Sequence, residues 1–172
     1  MKIQYQFIDQ LSEITTVRGF LALSTQQLAH YIELLIENVF RKQDFALKSV
    51  VDSLFEHQGP LAELPVRLKL LLGLGVISMD VYQDINHFIE FKLKLSDEVE
   101  EPDFSSPIVI NFLQSLHFSD SSLVNNLLKQ KLSMDKDSMI FQMQQLRLEK
   151  VVRSSLILGI SQIFDQLDQA ST

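Results

Sequence analysis

A chain of 172 residues that holds only five glycines and four prolines has few places at which it can turn tightly. A fold of many short strands needs such turns, so their scarcity favours a small number of long helices. The apolar spacing agrees. From Val17 to about Lys42, Leu21, Leu28, Ile32, Leu35 and Val39 share one face, while Gln26, His30, Glu33, Glu37 and Arg41 line the other. Asp44 to Phe55 reads as another helix, capped by Asp44. Gln58-Gly59-Pro60 breaks the chain, and Pro65 suits the first turn of a helix that ends near Gly75. Ser78 can cap a helix from Asp80 to about Leu95, with Val81, Ile85, Phe88 and Ile89 inward.

Beyond it, Asp97, Glu98, Glu100, Glu101 and Asp103 surround Pro102. Like-charge repulsion and the proline argue for a disordered, exposed acidic loop over about 96–106. Two shorter helices follow, about Pro107 to Leu116 and Asp120 to Lys131, then a long one from about Asp135 to Leu167. No strand-like alternation is sustained. The expected fold is all-α: a single-domain multi-helix bundle over 1–172, with a long second helix and a long C-terminal helix.

The apolar fraction of 46% suits a globular core, yet the longest apolar runs, Leu70 to Ile77 and Leu156 to Ile160, fall far short of a bilayer span. Lys2, Gln4, Gln6, Asp9 and Gln10 interrupt any secretory apolar segment, so the cytoplasm is the expected compartment. With no cysteine, thiolate zinc sites are excluded. The net charge of −7 counts against a DNA-binding module.

A helix-turn-helix outline exists in Leu68 to Leu74, Gly75, and Asp80 to Phe88, but its chemistry is wrong. No Lys or Arg lies between Lys69 and Lys92, and the would-be recognition helix carries Asp80, Asp84 and Glu90. Carboxylates repel a phosphate backbone, so an ordinary helical hairpin is the better account. Asp84, His87 and Glu90 recur every third residue, but successive members rotate by about 60°, so only adjacent ones share a face and a three-ligand metal site is disfavoured. A solvated or capping role is expected, with no metal and no cofactor. His30, His57 and His117 stand alone, and no nucleophilic triad or phosphate loop is recognisable.

Three arginines stand out. Arg67 falls angularly among Leu64, Leu70, Leu71 and Leu74; Arg153 falls inside the arc of Val152, Leu156, Ile160, Ile163 and Leu167, beside Leu146, Ile157 and Phe164; Arg18 lies at the edge of a face with Ile32 and Ile36. A charge in an apolar arc must be paired, hydrated or in use. One reading is an anion or acidic-partner site on Arg18, Arg67 and Arg153. The other, which the balance favours, is structural ion pairing with Glu149, Glu33 or Asp52. Val17-Arg18-Gly19-Phe20-Leu21 and Val152-Arg153-Ser154-Ser155-Leu156 share one pattern, whose small residues allow close helix approach.

Val39-Phe40-Arg41-Lys42-Gln43-Asp44-Phe45-Ala46, Gly59-Pro60-Leu61, Val66-Arg67-Leu68-Lys69-Leu70 and Gly73-Leu74-Gly75-Val76-Ile77 occur in that order. With the two arginine segments at either end, the set resembles the bacterial mannitol operon repressor family. The likeness is dense from about 17 to 95 and sparse from about 96 to 146. It implies an all-helical regulator that lowers expression of mannitol uptake and utilisation genes. It brings no catalytic residues and no recognised DNA-binding motif, so protein contact is the expected mechanism. Transcription machinery or a sugar phosphotransferase component is the partner expected. Two alternatives stay open. One is a direct DNA-binding repressor whose basic face, from Lys129, Lys131, Arg147 and Lys150, is completed by a homodimer. The other is a small-molecule or anion sensor built around the arginines.

Overall fold

The computed structural model describes residues 2–41, 52–56 and 58–172. Seven helices are placed among them: α1 (Lys2–Glu13), α2 (Val17–Arg41), α3 (Leu64–Gly73), α4 (Met79–Ser96), α5 (Pro107–Ser115), α6 (Ser122–Leu132) and α7 (Met139–Ser171). Residues 52–55 add a helical turn, and no strand occurs among the described residues. The helix expected from Asp44 to Phe55 lies largely outside them, as does His57.

The two longest helices form the spine. α2 packs against α1, α3, α4 and α7, and α7 packs against α1, α2, α4, α5 and α6. Their facing stripes are the apolar ones: Leu21, Leu28, Ile32 and Leu35 from α2, and Val152, Leu156, Ile160, Ile163 and Leu167 from α7, are all buried. Each such side chain contributes about 1.5–3 kcal/mol by leaving water. α4 adds Val81, Ile85 and Phe88 to the same core. Phe88 meets Phe112 of α5 edge-on at 5.0 Å, and Phe91 stacks on Phe112 at 4.4 Å.

The helix ends follow local chemistry. Pro65 occupies the first turn of α3, where its missing N–H is no loss. At the other end Gly75 takes φ +70, its N–H donates to Leu72 O (3.0 Å), and Val76 N–H donates to Leu71 O (2.9 Å). That pair of bonds is a Schellman cap, which needs a residue free of a Cβ penalty at positive φ. Ser78 Oγ accepts from Val81 N–H (3.2 Å) and starts α4.

Two boundaries differ from expectation. α7 begins at Met139 because Ser138 Oγ accepts from Phe141 N–H (3.1 Å), while 135–138 close a turn through Ser138 N–H to Asp135 O (3.1 Å). Expected from Asp135, the helix starts one turn later and runs past Leu167 to Ser171. A long second helix from Val17 implies one before it, whose bounds the periodicity reading does not draw. Phe7, Leu11 and Ile14, at i, i+4 and i+7, are the signal it leaves unused. Phe7 meets Phe164 at 5.1 Å, and Leu11 is fully buried.

Candidate partner-binding surface

Arg18, in the first turn of α2, reaches the C-terminus of α4. Its Nε and Nη2 donate to Leu95 O (3.3 and 2.9 Å), and Nη2 also donates to Glu98 O (2.5 Å) and Glu100 O (3.2 Å). Its backbone N–H and Nη1 donate to the two carboxylate oxygens of Glu101, each at 2.9 Å. The last carbonyls of a helix have no partner within it and carry partial negative charge, which a guanidinium fork satisfies well. The acidic segment is therefore exposed, with Val99 at 97%, yet held to the body by Arg18. It is not the disordered stretch that charge repulsion alone implies.

Arg153 repeats the device on another helix. Its Nη2 donates to Leu11 O (3.4 Å) and Ser12 O, near the end of α1, and its guanidinium lies 5.9 Å from the Phe104 ring centre. Arg67 donates from Nε to Leu61 O (2.7 Å) and lies over Phe55 at 5.3 Å. All three are half-buried. The carboxylate on Arg18 is Glu101, rather than Glu149, Glu33 or Asp52, and the other two hold carbonyls. The structure brings Arg18 and Arg153 to the same 97–106 segment, through Glu101 and Phe104. Arg67, inside α3, instead holds the turn that precedes that helix, through Leu61 O. The shared Val-Arg-small pattern thus corresponds to two arginines gripping two helix ends. The helices do not meet at Gly19: a Cβ there would strike Thr16 Oγ1 at 2.7 Å and Ile14 Cγ2 at 3.0 Å, from the preceding turn.

A polar site that the sequence reading leaves among solvated or solitary residues is Asp84 with His117. Asp84 is fully buried. Its Oδ1 accepts from His117 N–H (2.8 Å) and pairs with His117 Nδ1 (2.8 Å), and its Oδ2 accepts from Phe118 N–H (3.0 Å). The carboxylate fastens the α5–α6 connection to α4. His117 Nε2 is 3.9 Å from Asp80 Oδ1. The hydrogen bond to Asp84 raises the His117 pKa; partial desolvation opposes this, and the charges of Asp84 and Asp80 add to it. The available signal is Asp84's position between Val81, Ile85 and Phe88 on the buried face of α4. No group of three or more acidic, His or Cys ligands able to hold a metal occurs among the described residues.

A groove of about 280 Å³ between α4 and α5 is lined by His87, Glu90, Lys94 and Asn111 over Phe91 and Phe112. That volume falls just below the roughly 300–1,000 Å³ usual for small-molecule sites. The helix-turn-helix outline is absorbed by the core: α4 packs against α2, α3, α5 and α7 and buries Val81, Asp84, Ile85 and Phe88.

Of the four basic candidates, Lys131 is engaged, bonding Gln145 Oε1 and lying 4.6 Å from the Phe141 ring centre. Burial lowers its pKa. Lys129, Arg147 and Lys150 are exposed. Beside them Met139, Ile140, Met143 and Leu146 are 77%, 62%, 64% and 62% exposed. No helix among the described residues is long and apolar enough to cross a membrane.

Comparison with known proteins agrees with this architecture. The chain is 31% identical over 160 residues to the mannitol operon repressor of Escherichia coli K12, covering 93% of this chain and 80% of that protein. It is 24% identical over 161 residues to an Escherichia coli K12 protein named Fumarase E, covering 93% and 94%. Among solved structures, a chain of the MtlR–HPr complex from Escherichia coli superposes with a TM-score of 0.82 at 28% identity, covering 97% of this chain and 99% of that one. YggD from Shigella flexneri 2a, described as a possible transcriptional regulator, matches with a TM-score of 0.75 at 22% identity, over 95% and 96%, and shows the same fold. The family model described as Mannitol repressor matches residues 4–168. On that span, the chain belongs to the mannitol repressor family.

Proposed function

We propose that this chain lowers expression of mannitol uptake and utilisation genes in the cytoplasm by contact with another protein, an HPr-type component of the sugar phosphotransferase system. The observation that carries the reading is the match to the MtlR chain of the MtlR–HPr complex over 97% of this chain. The alternative of direct DNA reading is disfavoured, because the hairpin that could imitate a DNA reader is acidic and packed into the core. Arg18, Arg67 and Arg153 act in this reading through the backbone they hold rather than through a bound anion. No cofactor is invoked.

Calorimetric titration of purified HPr from the same bacterium into the chain tests the partner. Saturable binding at a 1:1 ratio is expected; no heat at about 100 µM of each protein would remove HPr and favour transcription machinery instead. In cells, deletion of the chain should raise a mannitol-promoter reporter, and an unchanged reporter overturns the regulatory reading.

The likeness to a protein named Fumarase E makes an enzymatic reading the one to exclude. Both oxygens of Asp84 are committed to backbone N–H groups and to His117, which suits a clamp better than a proton carrier. Fumarate hydration by the pure chain should be indistinguishable from buffer.

A further inference from the structure

α7 is longer than the core it serves. Its first buried residue is Leu148; before it, Phe141 and Gln145 meet Lys131 of α6, and Gln145 also donates to Ser105 Oγ (2.9 Å). On that stretch Met139, Ile140, Met143 and Leu146 are each more than 60% exposed. At about 100° per residue, Met139, Met143 and Leu146 fall within roughly 60° of one another, with Lys150 continuing the line and Ile140 and Arg147 along one edge. This stripe is roughly opposite the face that carries Phe141, Gln145, Leu148 and Val152 against the body. It is an apolar stripe on the solvent side of a helix, where a monomer gains nothing from it.

The charges at its two ends have opposite sign. Asp135 and Asp137 lie eight and six positions before Met143, and Lys150 lies seven after it. All three are exposed. The two aspartates outweigh Lys136 between them. We infer that this stripe binds a second copy of the chain, with two α7 helices packed antiparallel about a two-fold axis near Met143. In that arrangement each copy's Lys150 lies beside the other's Asp135 and Asp137, and Arg147 borders the partner's apolar stripe. Two-fold contact requires a patch complementary to itself, and a stripe with acid at one end and base at the other meets that condition only in the antiparallel sense. Parallel pairing would set like charges together. The inference is independent of HPr binding. It also commits Arg147 and Lys150 to the protein interface, away from any DNA-facing surface.

The test is sedimentation velocity on the full chain from about 1 to about 200 µM, a range set by mass action. The average mass should climb from 19.8 kDa toward twice that value. Met143→Glu, at an exposed position, should weaken association at least about tenfold by placing a charge in the apolar contact. Lys150→Glu should weaken it as well, and adding Asp137→Lys to Lys150→Glu should restore it, because the swap re-forms the pair across the axis. A monomer throughout the range overturns the inference, as does a dimer indifferent to Met143→Glu. So does a charge swap that fails to rescue. If the chain stays monomeric while Met143→Glu abolishes HPr binding, the stripe belongs to the other partner and the second copy is excluded.

Discussion

Asp84 has no exposed surface, and its carboxylate accepts from two backbone N–H groups while pairing with His117. Asp84→Asn keeps the shape but turns an NH2 group toward one of those donors. The expected loss is about 3 kcal/mol, read from denaturant midpoints at constant m-value. A loss under about 0.5 kcal/mol would mean that the α5–α6 connection holds itself. The pair also makes stability depend on pH. The His117 pKa is raised above its ordinary 6.5, chiefly by the hydrogen bond to Asp84. Folding therefore favours the protonated ring. The contribution is complete below the unfolded value and disappears as pH rises through the folded one. The midpoint should fall between about pH 6 and about pH 8 in the wild type, and the same fall should shrink in His117→Gln. Equal slopes in the two proteins would dissociate His117 from the effect.

At the scale of elements, the arginines matter for what they hold. Arg18 ties the end of α4 and the acidic 97–103 segment to the start of α2 through one guanidinium and one backbone N–H. Because Arg18 and Glu101 are 34% and 37% exposed, the ion pair itself is screened and adds little. The bonds to the carbonyls of Leu95, Glu98 and Glu100 carry the effect, and Arg18→Ala should cost about 1–2 kcal/mol. The sharper readout is proteolysis. Cleavage within 97–103 should accelerate several-fold in Arg18→Ala well below its melting temperature, since releasing the segment needs only local opening. An unchanged cleavage rate would show that the segment is held without Arg18. Arg67 and Arg153 are half-buried and bonded to carbonyls, so they strand no buried carboxylate when truncated, and their loss is milder than that of a buried ion pair.

Over the whole molecule, a net charge of −7 surrounds a small exposed basic group of Lys129, Arg147 and Lys150. Lys131 is withdrawn by Phe141 and Gln145. A protein making six phosphate contacts shows a log–log salt slope of about −5. The isolated chain should instead form no sequence-selective complex with the mannitol promoter at physiological salt. A tight complex that resists competition by an unrelated fragment would reverse this and restore the two-subunit basic face.

The helical class, the two long helices, the caps at Ser78 and Gly75 and the inward faces of α2, α4 and α7 are legible without coordinates. Each depends on neighbours within a turn or two, where spacing and cap chemistry act directly. The family likeness is legible for the same reason, since its motifs are local runs. The tertiary structure decided the rest. Asp84 and His117 are 33 residues apart, and Arg18 and Glu101 are 83 apart. Helical angle identifies a polar group on an apolar face but does not say which carbonyl or carboxylate arrives from elsewhere in the chain. Leu146 shows the converse. It shares α7's apolar character, yet it lies in solvent because α7 turns Phe141 and Gln145 toward α6 there, and which side of a helix meets a neighbour is set only when they pack.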